Sequence, residues 1–267
     1  MIVFLLSFDT IGVVRKKQFI ILCTMHTVIT QITGGIPMLI GGLQKLSLLD
    51  YPDRTCCTVF TMGCNYRCPF CHNASIINEP FSGQAIPEDE ILVFLKKRKG
   101  LLDGVCITGG EPLLQKDIEH FIHKIKSLGF SIKLDTNGSY PERLQQLITN
   151  KLVDYVAMDI KNAPGRYSQT IGIKNFDLAP IKKSVSILLS NQVPYEFRTT
   201  VVRELHSEQD IMALAQWIQG AEKYYLQNFV NSDDVLSKGL NGYSEKEMRH
   251  LLNLIHPLLP SAELRGI

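Results

Sequence analysis

The chain reads as an α/β protein whose strands form a barrel-like sheet. Two observations predict this. From residue 55 onward, short apolar strands alternate with amphipathic helical stretches, which implies parallel pairing through right-handed crossovers. The residues able to carry chemistry then fall at or near the C-terminal ends of those strands, where barrel enzymes place their sites. The alternation alone fits an open sheet as well as a barrel. The placement of the motifs decides for the barrel.

The predicted strands are Thr55–Thr61, Gly104–Thr108, Ser131–Asp135, Tyr155–Ile160, Tyr195–Val201 and Tyr224–Phe229, several of them flanked by Gly, Asn or Pro. Helices are predicted between them. Pro87–Lys99 opens on a proline and acids and ends basic before Gly100. Gln115–Leu128 stops at Gly129, a C-terminal cap. Pro141–Thr149, Phe176–Ser190, Ser207–Gly220 and Ser244–Leu259 complete the set. No repeat, low-complexity segment or internal linker divides the core.

Composition bounds the class. The chain has 267 residues, 45% hydrophobic and 20% charged, which suits a globular protein with a sizeable core. A net charge of +2 makes no electrostatic case for nucleic acid. Seven irregularly spaced cysteines do not read as a disulfide framework. Reduced thiols point to the cytosol.

Residues 1–37 stand apart. Met1 to Phe8 is apolar, Arg15-Lys16-Lys17 is basic, and Phe19 to Leu43 has no formal charge apart from the titratable His26. That stretch is long enough for a membrane span, but it is rich in Thr, Gln and Gly and carries Pro37. A signal peptide needs a basic start, and the first basic residue is Arg15. The expectation is an N-terminal extension, as from a start codon set too early, in preference to a membrane anchor. One domain over residues 38–267 follows it.

Cys64, Cys68 and Cys71 form a C-x3-C-x2-C run with no fourth cysteine nearby. A four-iron cluster usually takes four thiolates, so three leave one iron open. An open metal position marks catalysis more than structure. The spacing predicts one [4Fe–4S] cluster with an iron reserved for a small molecule, in a reducing or anaerobic setting. A zinc site completed by His72 or a distant residue is the alternative, as is a chance cluster. Cys56 and Cys57 are adjacent in a predicted strand and point to opposite faces. Like Cys23 and Cys106, they form no C-x-x-C pair. Cys56 and Cys57 read as small buried apolar groups.

A second motif, Thr108-Gly109-Gly110-Glu111-Pro112, follows the strand Val105-Cys106-Ile107. Together the two motifs resemble the radical S-adenosylmethionine (SAM) superfamily. The resemblance implies a partial (β/α)6 TIM-like barrel, a cluster on Cys64, Cys68 and Cys71, and a Gly-Gly-Glu turn that holds the SAM amino group. Gly109 and Gly110 would let backbone approach the ligand, and Glu111 would face the ammonium. Asp135 and Asn137 are candidates for the SAM ribose or carboxylate, although Asp-Thr-Asn-Gly is also a turn sequence. Lys161 would meet the carboxylate and Asp159 would orient it. Arg198, if it faces inward, needs an anion, and the SAM carboxylate is one. Phe70 either shields the cluster, stacks on adenine or packs its loop. His72 and Asn73 are polar neighbours within reach of SAM or of solvent.

Gly42-Leu43-Gln44-Lys45-Leu46-Ser47-Leu48-Leu49-Asp50-Tyr51-Pro52, Cys68-Pro69-Phe70-Cys71-His72-Asn73 and Met158-Asp159-Ile160-Lys161 narrow the resemblance. They are similar to segments of glycyl radical enzyme activases, most of all the anaerobic ribonucleoside-triphosphate reductase activating proteins. This covers about residues 38–230. It implies reductive cleavage of SAM to a 5′-deoxyadenosyl radical, which takes hydrogen from a glycine of a partner enzyme, with anaerobic ribonucleotide reductase first among the partners. It also implies a flavodoxin-like or ferredoxin-like electron donor, and no catalytic group beyond the cluster and SAM. Two alternatives stand beside it: a radical SAM enzyme acting on a small molecule or peptide, and an iron–sulfur electron carrier or scaffold. Residues 231–267 carry no motif.

Overall fold

The computed structural model describes residues 38–77 and 85–266. The extension at residues 1–37, with Cys23, lies outside the described residues. Among the described residues, eight strands form one sheet in chain order: β1 (Ile40–Ser47), β2 (Cys56–Thr61), β3 (Gly104–Gly109), β4 (Ser131–Thr136), β5 (Tyr155–Asp159), β6 (Tyr195–Val201), β7 (Tyr224–Asn228) and β8 (Ala262–Arg265). β1 runs antiparallel to β2, and β2 to β8 are parallel neighbours. β1 and β8 are the edges, so the sheet does not close. The helices are α1 (Ala74–Ile77), α2 (Glu88–Arg98), α3 (Ile118–Ser127), α4 (Pro141–Thr149), α5 (Tyr167–Thr170), α6 (Ala179–Leu189), α7 (Glu208–Trp217) and α8 (Glu245–Ile255).

The partial barrel is as predicted, and each of the six predicted strands is found with its ends within one residue. Two strands were not foreseen. In β1, Gly41 and Gly42 interrupt the alternation, and the register with β2 shifts between Ile40 and Gly42. β8 is four residues long, too short to show a period. The predicted helix from Gln115 begins instead at Ile118, because Pro112–Leu114 winds into a 3-10 turn. Among the described residues, no helix is long and apolar enough to cross a membrane.

Period-two alternation gives the sheet two chemically different faces. Cys57, Val59, Val105, Ile107, Ile132, Leu134, Val156, Met158 and Phe197 pack with helical residues such as Ile91, Phe121, Leu144 and Val185 in the main core. The intervening residues include Cys56, Cys106, Lys133, Asp135, Tyr155, Asp159, Glu196 and Arg198. Cys56, Cys106 and Tyr155 make a small separate cluster with Tyr51. Adjacent Cys56 and Cys57 thus serve different cores, both fully buried.

β8 closes one end of this polar seam. Glu196 is fully buried. Its carboxylate accepts from the two terminal Arg265 guanidinium nitrogens, at 2.8 and 3.1 Å, and from the Tyr155 hydroxyl at 3.1 Å. The Arg265 guanidinium lies 3.6 Å from the Tyr225 ring centroid. Truncating Arg265→Ala leaves a buried carboxylate with one donor and is expected to cost about 1–3 kcal/mol, read as a lower urea midpoint.

Candidate active site

Cys64, Cys68 and Cys71 line one cavity beyond the C-terminal ends of the parallel strands. Their loop is held by its backbone. The Gly63 N–H donates to Ile76 O at 2.8 Å, and the Arg67 N–H to Ile171 O at 2.9 Å. The Arg67 side chain donates to the carbonyls of Cys64 at 2.7 Å and Tyr66 at 2.8 Å. From the segment after β7, Leu236 and Ser237 donate to Cys71 O and Pro69 O at 3.2 and 2.9 Å. Residues 231–267 therefore have a structural role at the site that no motif revealed.

Burial pushes the Cys64 thiol up to about 11 and the Cys68 thiol to about 12. Metal ligation requires thiolates, so loading this loop must release protons. Among the described residues, no three His, Cys, Asp or Glu side chains are gathered tightly enough for a single ion. The donors are three thiols around a cavity, which suits a [4Fe–4S] cluster with one open iron.

The Gly-Gly-Glu turn packs on that loop. Gly109 has φ +117°, a region that favours glycine. A Cβ at Gly110 would lie 1.9 Å from Gly63 O and 3.3 Å from Cys64 N. The Glu111 N–H donates to Gly63 O at 2.9 Å, and the Asn73 side chain donates to Gly109 O at 2.8 Å. The bare glycine at 110 thus lets the turn meet the cysteine loop, backbone on backbone.

Glu111 does not reach the cavity, contrary to the expected ammonium contact. It is fully buried, and its carboxylate accepts from Leu113 N at 3.0 Å, Thr136 Oγ1 at 2.8 Å and Asn137 N at 2.7 Å. It ties the turn after β3 to the turn after β4. Burial pushes its carboxyl up to about 7, against those three donors. Asn137 lines the cavity and donates to Asn65 Oδ1 at 2.9 Å.

Asp135, Asp159, Lys161 and Arg198 also line the cavity. Arg198 faces inward as its conditional placement required, but its anions are protein carboxylates. It donates to Asp135 at 3.0 Å and to Asp159 at 2.5 Å. Lys161 donates to Asp159 at 2.8 Å, and Lys133 pairs with Asp135. Burial opposes ionisation of Asp159, but Arg198 and Lys161 outweigh it and hold its carboxyl well below the usual range. Burial likewise opposes the charge on Lys161, and Asp159 overcomes it.

The remaining candidates divide. Phe70 is buried and lines the cavity, edge-on to His206 at 6.4 Å and 5.9 Å from the Lys161 ammonium. His72 lines the cavity too, with Nε2 on Val230 O at 2.7 Å and its ring 5.4 Å from that of Phe229. Sequence reasoning missed Tyr66, Thr108, Thr136 and Thr200 in the lining. Position beside the motifs could have flagged the first three. It also missed His206, fully buried behind Lys161. His206 Nδ1 accepts from Val202 N at 3.1 Å, so Nε2–H is left to donate to Lys161 O at 2.8 Å. Burial lowers its pKa and keeps it neutral.

Two outcomes are expected. Gly110→Ala displaces the cysteine loop, costs at least about 1–3 kcal/mol, and loses most of the iron taken up on anaerobic reconstitution. Gly165→Ala, where a Cβ meets nothing within 4 Å, keeps its iron. For Glu111, the folded-state carboxyl lies above its ordinary 4.5, so its contribution to stability is present below that pH and lost as pH rises through about 7. Urea titrations from about pH 5 to pH 8 are expected to show wild type losing stability relative to Glu111→Gln.

The radical SAM superfamily profile matches residues 58–218. A Methanocaldococcus jannaschii protein provisionally named a glycyl-radical enzyme activating enzyme is 34% identical over 236 residues, covering 86% of this chain and 96% of its own. The pyruvate formate-lyase-activating enzyme of Clostridium pasteurianum is 33% identical over 129 residues, covering 46% of this chain and 52% of its own. The 7-carboxy-7-deazaguanine synthase of Koribacter versatilis is 27% identical over 159 residues, 58% of this chain and 65% of its own. Among solved structures, Streptococcus suis SuiB bound to S-adenosylmethionine superposes with a TM-score of 0.62 at 15% identity, over 77% of this chain and 48% of that one. Escherichia coli QueE superposes at 0.51 and 14%, over 88% and 96%. These two likenesses concern the fold. The chain belongs to the radical SAM superfamily, whose members use a [4Fe–4S] cluster and SAM.

Proposed function

We propose that this chain activates a glycyl radical enzyme, with anaerobic ribonucleotide reductase as the partner and a flavodoxin-like or ferredoxin-like protein as the electron donor. The domain that does so spans residues 38–267, with 1–37 as an extension, and it acts in the cytoplasm. The observation that carries the reading is one cavity shared by three cysteines, the Gly-Gly turn and a chain of inward charges. The extent of the match to the Methanocaldococcus relative supports the activase class.

When bound, the cluster and SAM supply reductive cleavage of a carbon–sulfur bond and the abstraction of a hydrogen atom from the substrate. The chain's residues bind, orient and enclose. Cys64, Cys68 and Cys71 ligate three irons. Lys133, Arg198 and Lys161 against Asp135 and Asp159 leave one positive charge in excess. That surplus suits the SAM carboxylate, with Lys161, which lines the cavity and whose charge acts on the Cys64 and Cys68 thiols, as the cation to offer it. Thr108, Gly109, Gly110 and Asn137 line the same cavity and would partner the ammonium and ribose of SAM. Glu111 acts through Asn137, whose N–H it holds. Phe70 and His72 cover the cavity from the cysteine loop.

The second reading is a radical SAM enzyme acting on a small molecule, supported by the likeness to 7-carboxy-7-deazaguanine synthase. One experiment separates the readings. Anaerobically reconstituted chain is expected to carry about four irons, and each of Cys64→Ala, Cys68→Ala and Cys71→Ala to lose most of them. With dithionite and SAM it is expected to release 5′-deoxyadenosine, and to leave an EPR-detected glycyl radical on anaerobic ribonucleotide reductase. Cleavage without a radical on any glycyl radical enzyme favours the small-molecule reading. A loaded, reduced cluster that cleaves no SAM makes the chain an electron carrier.

A further inference from the structure

Tyr66 stands between Cys64 and Cys68 in the chain and lines their cavity. It is 3% exposed. Among the described residues, its hydroxyl is the one buried side-chain polar atom without a hydrogen-bond partner. Buried polar atoms are nearly always paired, and leaving one unmet is costly. A phenylalanine would fill the same space without that cost.

The ring is held in place. It meets the Phe176 ring edge-on at 5.7 Å. The Tyr66 carbonyl is bound by Arg67, and its N–H points to Cys64 Sγ at 3.4 Å. Nearby acceptors are already engaged. The Glu111 carboxylate takes Leu113, Thr136 and Asn137, and the Tyr167 hydroxyl takes the Lys161 N–H at 3.4 Å. What the loop lacks in its thiol form is a strong sulfur acceptor. Thiols accept weakly, whereas metal-bound thiolate and sulfide carry negative charge.

We propose that the Tyr66 hydroxyl donates a hydrogen bond to a sulfur of the cluster held by Cys64, Cys68 and Cys71, and thereby raises its reduction potential. This rests on the cluster assignment above. Reduction adds negative charge to the sulfurs, so a donor aimed at them stabilises the reduced form, and hydrogen bonds to sulfur are among the factors that set such potentials. Tyr66 is a positioning and tuning residue, with no bond to the reacting carbon.

The test is Tyr66→Phe in the full chain, reconstituted anaerobically. The midpoint is read by EPR-monitored redox titration without SAM, and thermal unfolding is read with and without the cluster. Iron content is expected to match wild type. The midpoint is expected to move to a more negative potential. Without the cluster, the variant is expected to melt above wild type, because the unmet hydroxyl is gone; with the cluster, that advantage disappears. An unchanged midpoint at full iron overturns the proposal, as does a cluster-free variant that melts no higher. An unchanged midpoint with weakened SAM binding assigns the hydroxyl to SAM and equally overturns it. A wild-type chain that takes up no iron overturns the cluster reading, and this assignment with it.

Discussion

The site is built on a close approach between two backbones. Gly110 lies so near Gly63 that a single added carbon would overlap the Gly63 oxygen. That same oxygen accepts the Glu111 N–H. The cysteine loop and the turn after β3 are therefore one unit, and each restricts the other. Glu111 extends the unit to β4 by holding Thr136 and the Asn137 N–H. Asn137 returns to the start of the cysteine loop through Asn65. Three consecutive strand ends are thus joined in a ring around the cavity, with a carboxylate as the hinge pin. The arrangement explains why glycine, glycine and glutamate are needed in that order without any of their side chains entering the cavity.

A second constraint comes from the inner face of the sheet. Five charged groups run across it: Lys133, Asp135, Arg198, Asp159 and Lys161. Buried charges persist only when paired. Here each carboxylate lies between two cations, which keeps both ionised despite burial. The chain of pairs gives the cations fixed positions and ends in Lys133 and Lys161, each with one carboxylate partner, and of these two Lys161 lines the cavity. An end member can turn to a new anion at a smaller cost than Arg198, which would release two. The geometry therefore singles out Lys161 among the three cations as the group able to respond to a bound carboxylate.

Much of this was legible in the sequence, because parallel strands buried on both faces are short apolar runs bounded by turns, and strand ends mark the catalytic side of a barrel. Cys64, Cys68, Cys71, Gly109, Gly110, Asn137 and Lys161 could be placed on one cavity for that reason. Pairing was not legible. Arg198 was matched, if inward, to the SAM carboxylate, because period-two reasoning gives the face of a residue and not its partners across the sheet. Asp159 sits opposite Arg198 on the neighbouring strand, Asp135 reaches it from one strand further away, and the two take that role. Glu111 was misplaced for a related reason: its turn looked like ligand-binding backbone, whereas the side chain answers to donors 25 and 26 residues later. The contribution of the segment after β7 was invisible because it acts through the backbone N–H groups of Leu236 and Ser237, and any residue but proline supplies those.

These parts divide the labour around the cysteines. The polar backbone of their loop is satisfied from outside. Ile76 and Ile171 accept its N–H groups, and Leu236 and Ser237 donate to its carbonyls. Held this way, the loop presents sulfur to the cavity with little backbone freedom left to lose when metal binds. Two of its thiols are held in the neutral state, since burial resists the thiolate form at Cys64 and Cys68. Iron must supply the charge compensation that the protein withholds. Lys161 moderates this at Cys68, where its charge lowers the thiol pKa against the larger effect of burial. A loop that is rigid in its backbone and dependent on metal for its charge balance favours occupancy by a cluster over a bare thiolate, and it does so without a fourth cysteine to close the last iron.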